Sequence, residues 1–454
     1  MWKIKPEISK KKLSWNFDLF FHAADKFDGT FLFTNDTENN SGKNILGVNP
    51  VVVINENNVQ YGNRSKKISA PHLIDEILST NNTDLNYPIF LGYLGYDFKD
   101  KLEEKGLYAG LEHGNLPQIY FVIYEYYIIT ENFKKDDFNI VKLNFEFEHT
   151  RFDIEKVFNL KINEDTGGSS KYIGSSLTRN EFRAGVEKIK KYVEQGDIYQ
   201  ANLTREITGT TDIKPVGLAQ RLSQSNPIEF GVFSKVNDHY IISTTPERFF
   251  RVKDNVITAS PVKGTIERSI DTVIDEQNLQ ILLNSDKDKA ELAMIVDLLR
   301  NDMHKICSVN SVFVKDFPMV KKLNNVYHLY SEIEGVLSEI SYNKIFRALF
   351  PCGSISGCPK VRSCQIIEEL EGIGRGAYTG SFGYINFNTN SDFNILIRTL
   401  FYRNGYISFN VGGGITLLSD PEMEYRETIH KANNIYNAIN MEEIWEERYC
   451  LTGK

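Results

Sequence analysis

"FNILIRTLFYRNGYISFNVGGGIT" spans residues 393–416, and its reading decides the fold. Two β-type runs flank Asn404-Gly405, a dipeptide suited to the left-handed turn of a two-residue hairpin. A second stretch, "HYIISTTPERFFRVKDNVITASPVKGT" (239–265), also reads as a hairpin pair. "NPVVVINENNVQYG", "YPIFLGYLGYDF" and "QIYFVIYEYYIIT" add short strands in the first 150 or so residues, separated by Asn, Asp and Gly clusters. Strands that come in hairpins, not in βαβ alternation, predict an α+β fold with large antiparallel sheets. The opening stretch also carries chemistry. Arg398 sits inside an apolar run, and such a charge calls for a partner, best a carboxylate held in bidentate fashion. The glycines of "VGGGIT" (411–416) let backbone N–H groups approach an anion closely. They suit a bulge or bend equally well.

Helices punctuate the strands. "TRNEFRAGVEKIKKYVEQGD" has Thr178 as N-cap, Glu181 three residues on as in a capping box, and Gly196 as a stop. "DKDKAELAMIVDLLRNDMHKI" is a long helix, and a last one begins near Pro421. "GCPKVRSCQIIEELEG" (357–372) starts as a turn and continues as an amphipathic helix. It is approached through Pro351, Cys352, Gly353, Ser354, Ile355 and Ser356. That approach suits a plain capped turn, or an anion site at a helix N-terminus. "NEDTGGSSKYIGSS" (163–176) is the best linker candidate.

Composition bounds the function. With 454 residues, 41% hydrophobic and 25% charged, the chain is globular and has a substantial core. A net charge of -8 disfavours a general nucleic-acid binder but leaves room for a local basic pocket. Five cysteines show no metal-ligand spacing and read as reduced cytosolic thiols. The start, "MWKIKPEISKKKLSWNF", lacks the apolar run of a signal peptide, and no window reaches membrane-span length. A cytoplasmic protein is expected, with no membrane or nucleic-acid partner.

Two acid pairs stand out. Asp288 and Glu291, and Glu424 and Glu427, are each three residues apart on a predicted helix and share a face. Their repulsion can be offset by solvent with Lys287, Lys289 and Lys431, or by a hard divalent cation such as Mg²⁺. Glu247 and Lys263 fall within the 239–265 stretch, so a hairpin there can bring them together. A partly buried Glu can serve as a general acid, and a partly buried Lys as a nucleophile. An ordinary cross-strand ion pair is the plainer alternative. His328, in "NVYHLYSEI", suits a satisfied core position.

"GDIYQANLT", "TTPERFF", "SPVKGT", "AELAMIVDLLRND", "NVYHLYSEIEG", "PCGSISGCPKVRSCQIIEELE", "RGAYTGSFGYI", "IRT", "VGGGI" and "SDPEMEYRET" occur in this order. Together they resemble the chorismate-utilising enzymes, among them the synthase components of anthranilate and 4-amino-4-deoxychorismate and the isochorismate and salicylate synthases. The resemblance is strong over about 175–445 and weaker before it, where "FLGYLGYDF" carries it. It implies two large antiparallel sheets packed face to face with helices outside. It also implies an N-terminal region at 1–165 and a chorismate-binding catalytic domain at 175–450. Glu291 and Glu427 match the family's Mg²⁺ ligands, with Asp288 and Glu424 behind them. Lys431 assists at the ring carboxylate. Tyr378, Arg398 and the backbone near Gly412 and Gly414 would hold the enolpyruvyl carboxylate. Ser354 would line the pocket, Thr265 and His328 would contact ring substituents, and Glu247 would be the general acid. Cys358 stands where the family usually has Ala, a packing change.

Within the family, Gln200 replaces the lysine that activates water in isochorismate and salicylate synthases, so the implied nucleophile is ammonia. Lys263 stands where anthranilate synthases usually carry Ala, and "PVKGT" is close to the "PIKGT" of aminodeoxychorismate synthases. The resemblance then implies amination of chorismate at C4 with retention of the enolpyruvyl group, a step toward p-aminobenzoate and folate. The chain shows no nucleophile segment of a glutamine amidotransferase, which implies a separate glutaminase subunit. Asn226, Pro227, Ile228, Glu229 and Phe230 depart from the tryptophan-binding run of feedback-inhibited anthranilate synthases. An anthranilate synthase component and a silent chorismate-binding subunit are the competing readings.

Overall fold

The hairpin at Asn404-Gly405 forms as its sequence predicts. Both residues take positive φ, 49° and 84°, and Thr399–Arg403 pairs antiparallel with Tyr406–Ile415, closing at Arg403↔Tyr406. The computed structural model describes residues 2–441 apart from 37–40, 103–106, 109, 112–113, 115, 163–166, 226–228 and 324–325. Among these, every pairing between strands is antiparallel.

Hydrogen bonding links 21 strands into one network, which divides into two sheets at two long strands. Ser41–Asn55 and Ile119–Thr130 run through both sheets, and their register shifts between Pro50 and Val52. Such a bulge is how a strand turns a corner between packed sheets. Beyond Pro50 they join Pro88–Leu94, Ser381–Asn386, Ser391–Asn394, Arg248–Lys253 and Val256–Ala259. On the other side they join Thr30–Asp36, Phe230–Val236, His239–Thr245, Thr399–Arg403, Tyr406–Ile415 and Gln200–Thr211. Strands from the first 150 residues are thus paired directly with later ones: Thr30–Asp36 with Phe230–Val236, and Pro88–Leu94 with Ser381–Asn386.

Period-two alternation decides what each face buries. Leu32, Val232 and Ile241 point into a core shared with Phe250, Phe382 and Phe393 of the second sheet. Their neighbours Phe31, Phe233 and Ile242 point outward, onto the helices Phe17–Lys26, Pro215–Ser225 and Pro421–Ala438. Both faces are covered, which is why these strands read as near-continuous apolar runs. The Thr178–Glu181 capping box is present, and the long helix runs Asp286–His304 from the cap Ser285.

Three local expectations are corrected. "FNILIRTLFY" is not one strand: Ser391–Asn394 lies in the second sheet, Thr399–Arg403 in the first, and Arg398 lies in the crossing between them with φ 49°. The 239–265 stretch is likewise not a simple hairpin pair. His239–Thr245 crosses to Arg248–Lys253 in the other sheet, and the hairpin joins Arg248–Lys253 to Val256–Ala259. Val262–Glu267 then enters a separate three-stranded sheet with Val326–Tyr330 and Met319–Lys322. The linker candidate contains an edge strand, Ser170–Ser175, against Gln200–Thr211. Its residues 163–166 lie outside the described ones, as do Asn226, Pro227, Ile228 and Cys450. No helix among the described residues is long and apolar enough to cross a membrane.

Candidate active site

The two crossings between the sheets run side by side. Ile395 N–H donates to Glu247 O at 3.0 Å, and Thr244 N–H to Arg398 O at 3.2 Å. Beside them opens a cavity of about 200 Å³ whose lining includes Glu247, Lys263, Ser354, Tyr378, Arg398 and Lys431. The three-residue turn Gly353–Ile355 meets this cavity. It is this turn, not the N-terminus of helix Lys360–Glu371, that delivers Ser354.

Ser354 joins the two residues singled out in the 239–265 stretch. Its hydroxyl donates to Glu247 Oε1 at 2.7 Å, and its carbonyl accepts from Lys263 Nζ at 3.3 Å. Burial pushes the Glu247 carboxyl above its ordinary range, against the pull of the Ser354 hydrogen bond and of Lys263, Arg398 and Lys431. Lys263 precedes Gly264, whose φ of 76° marks a one-residue bulge between Lys263 and Thr265. The bulge breaks the alternation and re-aims the side chains on either side. Thr265 Oγ1 bonds His328 Nδ1 at 2.7 Å. Burial, with Arg398 and Lys321 nearby, lowers the His328 imidazole to about 4, so it is neutral near pH 7. Neither residue lines the cavity itself, although Thr265 sits two positions from Lys263.

Among the described residues Arg398 is held by no carboxylate in a hydrogen bond or ion pair. Its guanidinium faces the cavity, where burial works against its charge and Glu247 favours it. Tyr378 lies beside it, and burial raises its phenol. Gly412, Gly413 and Gly414 form a regular strand segment, without the bulge they could have made, opposite Thr204, Leu203 and Asn202. A Cβ at 412 would stand 2.2 Å from Leu203 O, so only glycine allows this approach. The pairing with Thr399–Arg403 ends at Leu400↔Phe409, which leaves one edge of 411–415 turned to the cavity.

The acid pairs come together at the rim. A Cβ on Gly413 would lie 3.5 Å from Glu427 Oε1 and Lys431 Nζ and 3.6 Å from Glu424 Oε2. On the facing helix, Asp288 packs against Gly264. Burial raises Glu291, and Asp288 and Glu427 add to the effect, while Lys263 and Lys287 oppose it. Partial burial would also raise Glu427, which is about half exposed, but Lys431, Lys287 and Lys263 hold it below its ordinary value. Glu424 is raised by burial and accepts from Ser419 Oγ at 2.6 Å. Lysines balance these carboxylates: Lys431 Nζ is 2.6 Å from Glu427 and 2.8 Å from Gly412 O, and Lys287 is 4.0 Å from Glu291. Among the described residues no three His, Cys, Asp or Glu side chains are grouped closely enough to hold a metal on their own. The hard oxygens of Glu291 and Glu427 fit Mg²⁺, which takes one or two carboxylates and completes its shell with water and a ligand's anion.

Sequence reasoning missed several residues. Asn202, Thr204, Thr379 and Asn410 line the cavity. In "YQANLT" the alternation that puts Asn202 and Thr204 on the face of Gln200 is the available signal. Gln200 itself is fully buried under Gly414, and its amide atoms have no hydrogen-bond partner among the described residues.

This two-sheet fold, with its acid rim and glycine-lined cavity, defines a class. The chain belongs to the chorismate binding enzyme family, whose model matches residues 29–437. It is 30% identical over 379 residues to an aminodeoxychorismate synthase component 1 from Bacillus subtilis (strain 168), covering 80% of each chain. It is 36% identical over 275 residues to an anthranilate synthase component 1 from Saccharolobus solfataricus, covering 60% of this chain and 64% of that one. The crystal structure of anthranilate synthase component I from Streptococcus pneumoniae TIGR4 superposes with a TM-score of 0.73 at 25% identity, covering 87% of this chain and 92% of that one.

Proposed function

We propose that this protein aminates chorismate at C4 to 4-amino-4-deoxychorismate, in the cytoplasm, with Mg²⁺ bound and ammonia supplied by a separate glutaminase subunit. The observation that carries the reading is the convergence of Lys263 and Glu247 on Ser354 at the cavity. Arg398, Tyr378 and the exposed edge near Gly412 and Gly414 hold the enolpyruvyl carboxylate. Glu291 and Glu427, backed by Asp288 and Glu424, would hold Mg²⁺, which when bound neutralises the ring carboxylate with help from Lys431. The Lys263 amine adds to C2. The ring double bonds shift and the C4 hydroxyl departs as water with the Glu247 proton. Ammonia adds at C4, the bonds shift back, and Lys263 leaves C2. A raised carboxyl at Glu247 suits the proton donor. Gln200, a neutral amide, does not take a proton from water, which favours ammonia as the nucleophile.

Product analysis tests this. Purified protein with chorismate, Mg²⁺ and an ammonium salt should yield 4-amino-4-deoxychorismate. Anthranilate fluorescence instead would overturn the assignment in favour of the anthranilate branch. Chorismate left intact, even with a glutaminase partner, would favour a silent binding subunit.

A further inference from the structure

Behind the cavity wall lies a buried ion pair that touches no part of the cavity surface itself. Glu371 ends the helix Lys360–Glu371, Gly372 caps it with φ 67°, and the chain returns so that Arg375 faces Glu371. Arg375 Nε donates to Glu371 Oε2 at 2.9 Å and Nη2 to Oε1 at 2.7 Å. The pair is bidentate, and the two residues are 3% and 7% exposed. The remaining donors of the fork reach outward: Nη2 to Asn202 O at 2.9 Å, Nη1 to Ile355 O at 2.9 Å, and Nη1 to Thr379 Oγ1 at 3.4 Å. Glu371 Oε1 also accepts from Thr204 N–H at 2.8 Å and Thr204 Oγ1 at 2.9 Å. All four contacted residues line the cavity.

A second clamp comes from the 3₁₀ turn Tyr96–Phe98. Asp97 accepts from Gly376 N–H at 2.7 Å and Arg375 N–H at 3.2 Å. The Tyr96 ring lies 4.7 Å from the guanidinium carbon, and Tyr96 N–H donates to Gly376 O at 2.7 Å. Part of "FLGYLGYDF", far from the chemistry in sequence, is thus fastened to the back of the cavity.

We infer that Arg375, locked by Glu371 and by the Tyr96–Asp97 turn, is a positioning residue that sets Ser354 and through it the Glu247 carboxyl. Two routes carry this. Arg375 holds the carbonyl of Ile355, the next residue in the turn. It also holds the main chain of Asn202, whose Nδ2 donates to Ser354 O at 2.9 Å. The same carbonyl receives Lys263 Nζ, and the Ser354 hydroxyl fixes Glu247. Only a guanidinium spans these acceptors together, since lysine lacks the planar fork. The inference rests on the proposed role of Glu247 as general acid.

The test follows chorismate loss in Mg²⁺ and an ammonium salt across pH, with full-length wild type, Glu247→Gln, Arg375→Lys, Glu371→Gln and Asp97→Asn. The groups facing Glu247 are Ser354, Lys263, Arg398 and Lys431, with the Cys352 thiol nearby. Displacement of a catalytic group by about an ångström costs on the order of 10²-fold. Arg375→Lys should therefore lower kcat by roughly 10- to 100-fold, with a much smaller change in KM. It should also move the alkaline limb of the kcat profile to higher pH, because the Ser354 contact that holds Glu247 down is weakened. Asp97→Asn should do the same to a lesser degree. If Arg375→Lys does not fold, Glu371→Gln gives the same readout. Wild-type kcat and pH profile in these variants, or a kcat loss with an unmoved alkaline limb, would overturn the inference while Glu247→Gln stays inactive. Full activity in Glu247→Gln would overturn the general-acid assignment beneath it.

Discussion

The two ends of the cavity are built on different principles. At the enclosed end, Glu247, Lys263 and Asn202 are tied to Ser354 by hydrogen bonds whose partners are fixed by the sheets. At the rim, four carboxylates on two helices are balanced by Lys287 and Lys431 at the ends of long side chains, and Lys431 and Glu427 are both about half exposed. Exposed ion pairs of this kind contribute little to stability and exchange readily. The enclosed end therefore presets geometry, and the rim presets charge. Preset charge suits a place where a cation and an anionic substrate arrive together, because the lysines can give way without disturbing the core.

Removing charge from the rim should break this contrast most severely. Glu291→Gln and Glu427→Gln keep side-chain shape, so both variants should fold, while turnover falls by roughly 10³-fold or more, given several kcal/mol of lost metal-assisted stabilisation. Initial rates against Mg²⁺ concentration check this, and wild-type Mg²⁺ dependence in both variants would make the rim a mere surface. At the enclosed end, Lys263→Ala should change the product as well as the rate. Intact mass spectrometry of wild type with chorismate and no ammonia should show an adduct at Lys263. The adduct should vanish in the variant, and anthranilate-type products should appear. If Lys263→Ala makes aminodeoxychorismate at the wild-type rate with only a lower melting temperature, the lysine is a structural partner.

Arg398 stands between the two ends. Arg398→Lys keeps the charge and loses the fork, so KM for chorismate should rise by roughly 10- to 100-fold, the cost of about 1.5–3 kcal/mol for a charged hydrogen bond, with kcat nearly unchanged. His328 gives the smallest effect on activity, because it acts through stability alone. Its folded-state value of about 4 lies below the 6.5 of the unfolded chain. The unfolded state thus binds the extra proton first as pH falls, and stability is fully present above about 6.5 and lost toward 4, by up to about 3 kcal/mol. Melting temperatures at pH 7 and pH 5 should differ less in His328→Asn than in wild type.

Much of this was legible because the signals were local. The Asn404-Gly405 hairpin, the Thr178 capping box and the helical spacing of the acid pairs each depend on residues a few positions apart. The crossing at Arg398 was not legible. Both halves of "FNILIRTLFY" are buried or half-buried on both faces, so no change in periodicity marks where the chain passes from one sheet to the other. The Arg375–Glu371 pair was also hidden, because its partners Asn202, Thr204 and Asp97 lie far away in sequence and buried polar contacts leave no pattern of their own. The Gly264 bulge, by contrast, was carried by a visible glycine whose φ nothing in the local pattern required.

The direct pairing of early strands with late ones has a consequence for how the chain comes to be assembled during synthesis. Leu94 finds its neighbour in Ser381, Thr34 in Phe230, and Ala201 in Ile415. Translation delivers these partners long after the strands that await them. Until Ser381–Asn386 has been made, Pro88–Leu94 lacks one of its two sheet neighbours, the other being Ile119–Thr130. Such distant pairing raises contact order and slows folding. It also leaves apolar strand edges waiting in the nascent chain, where they are open to misassociation.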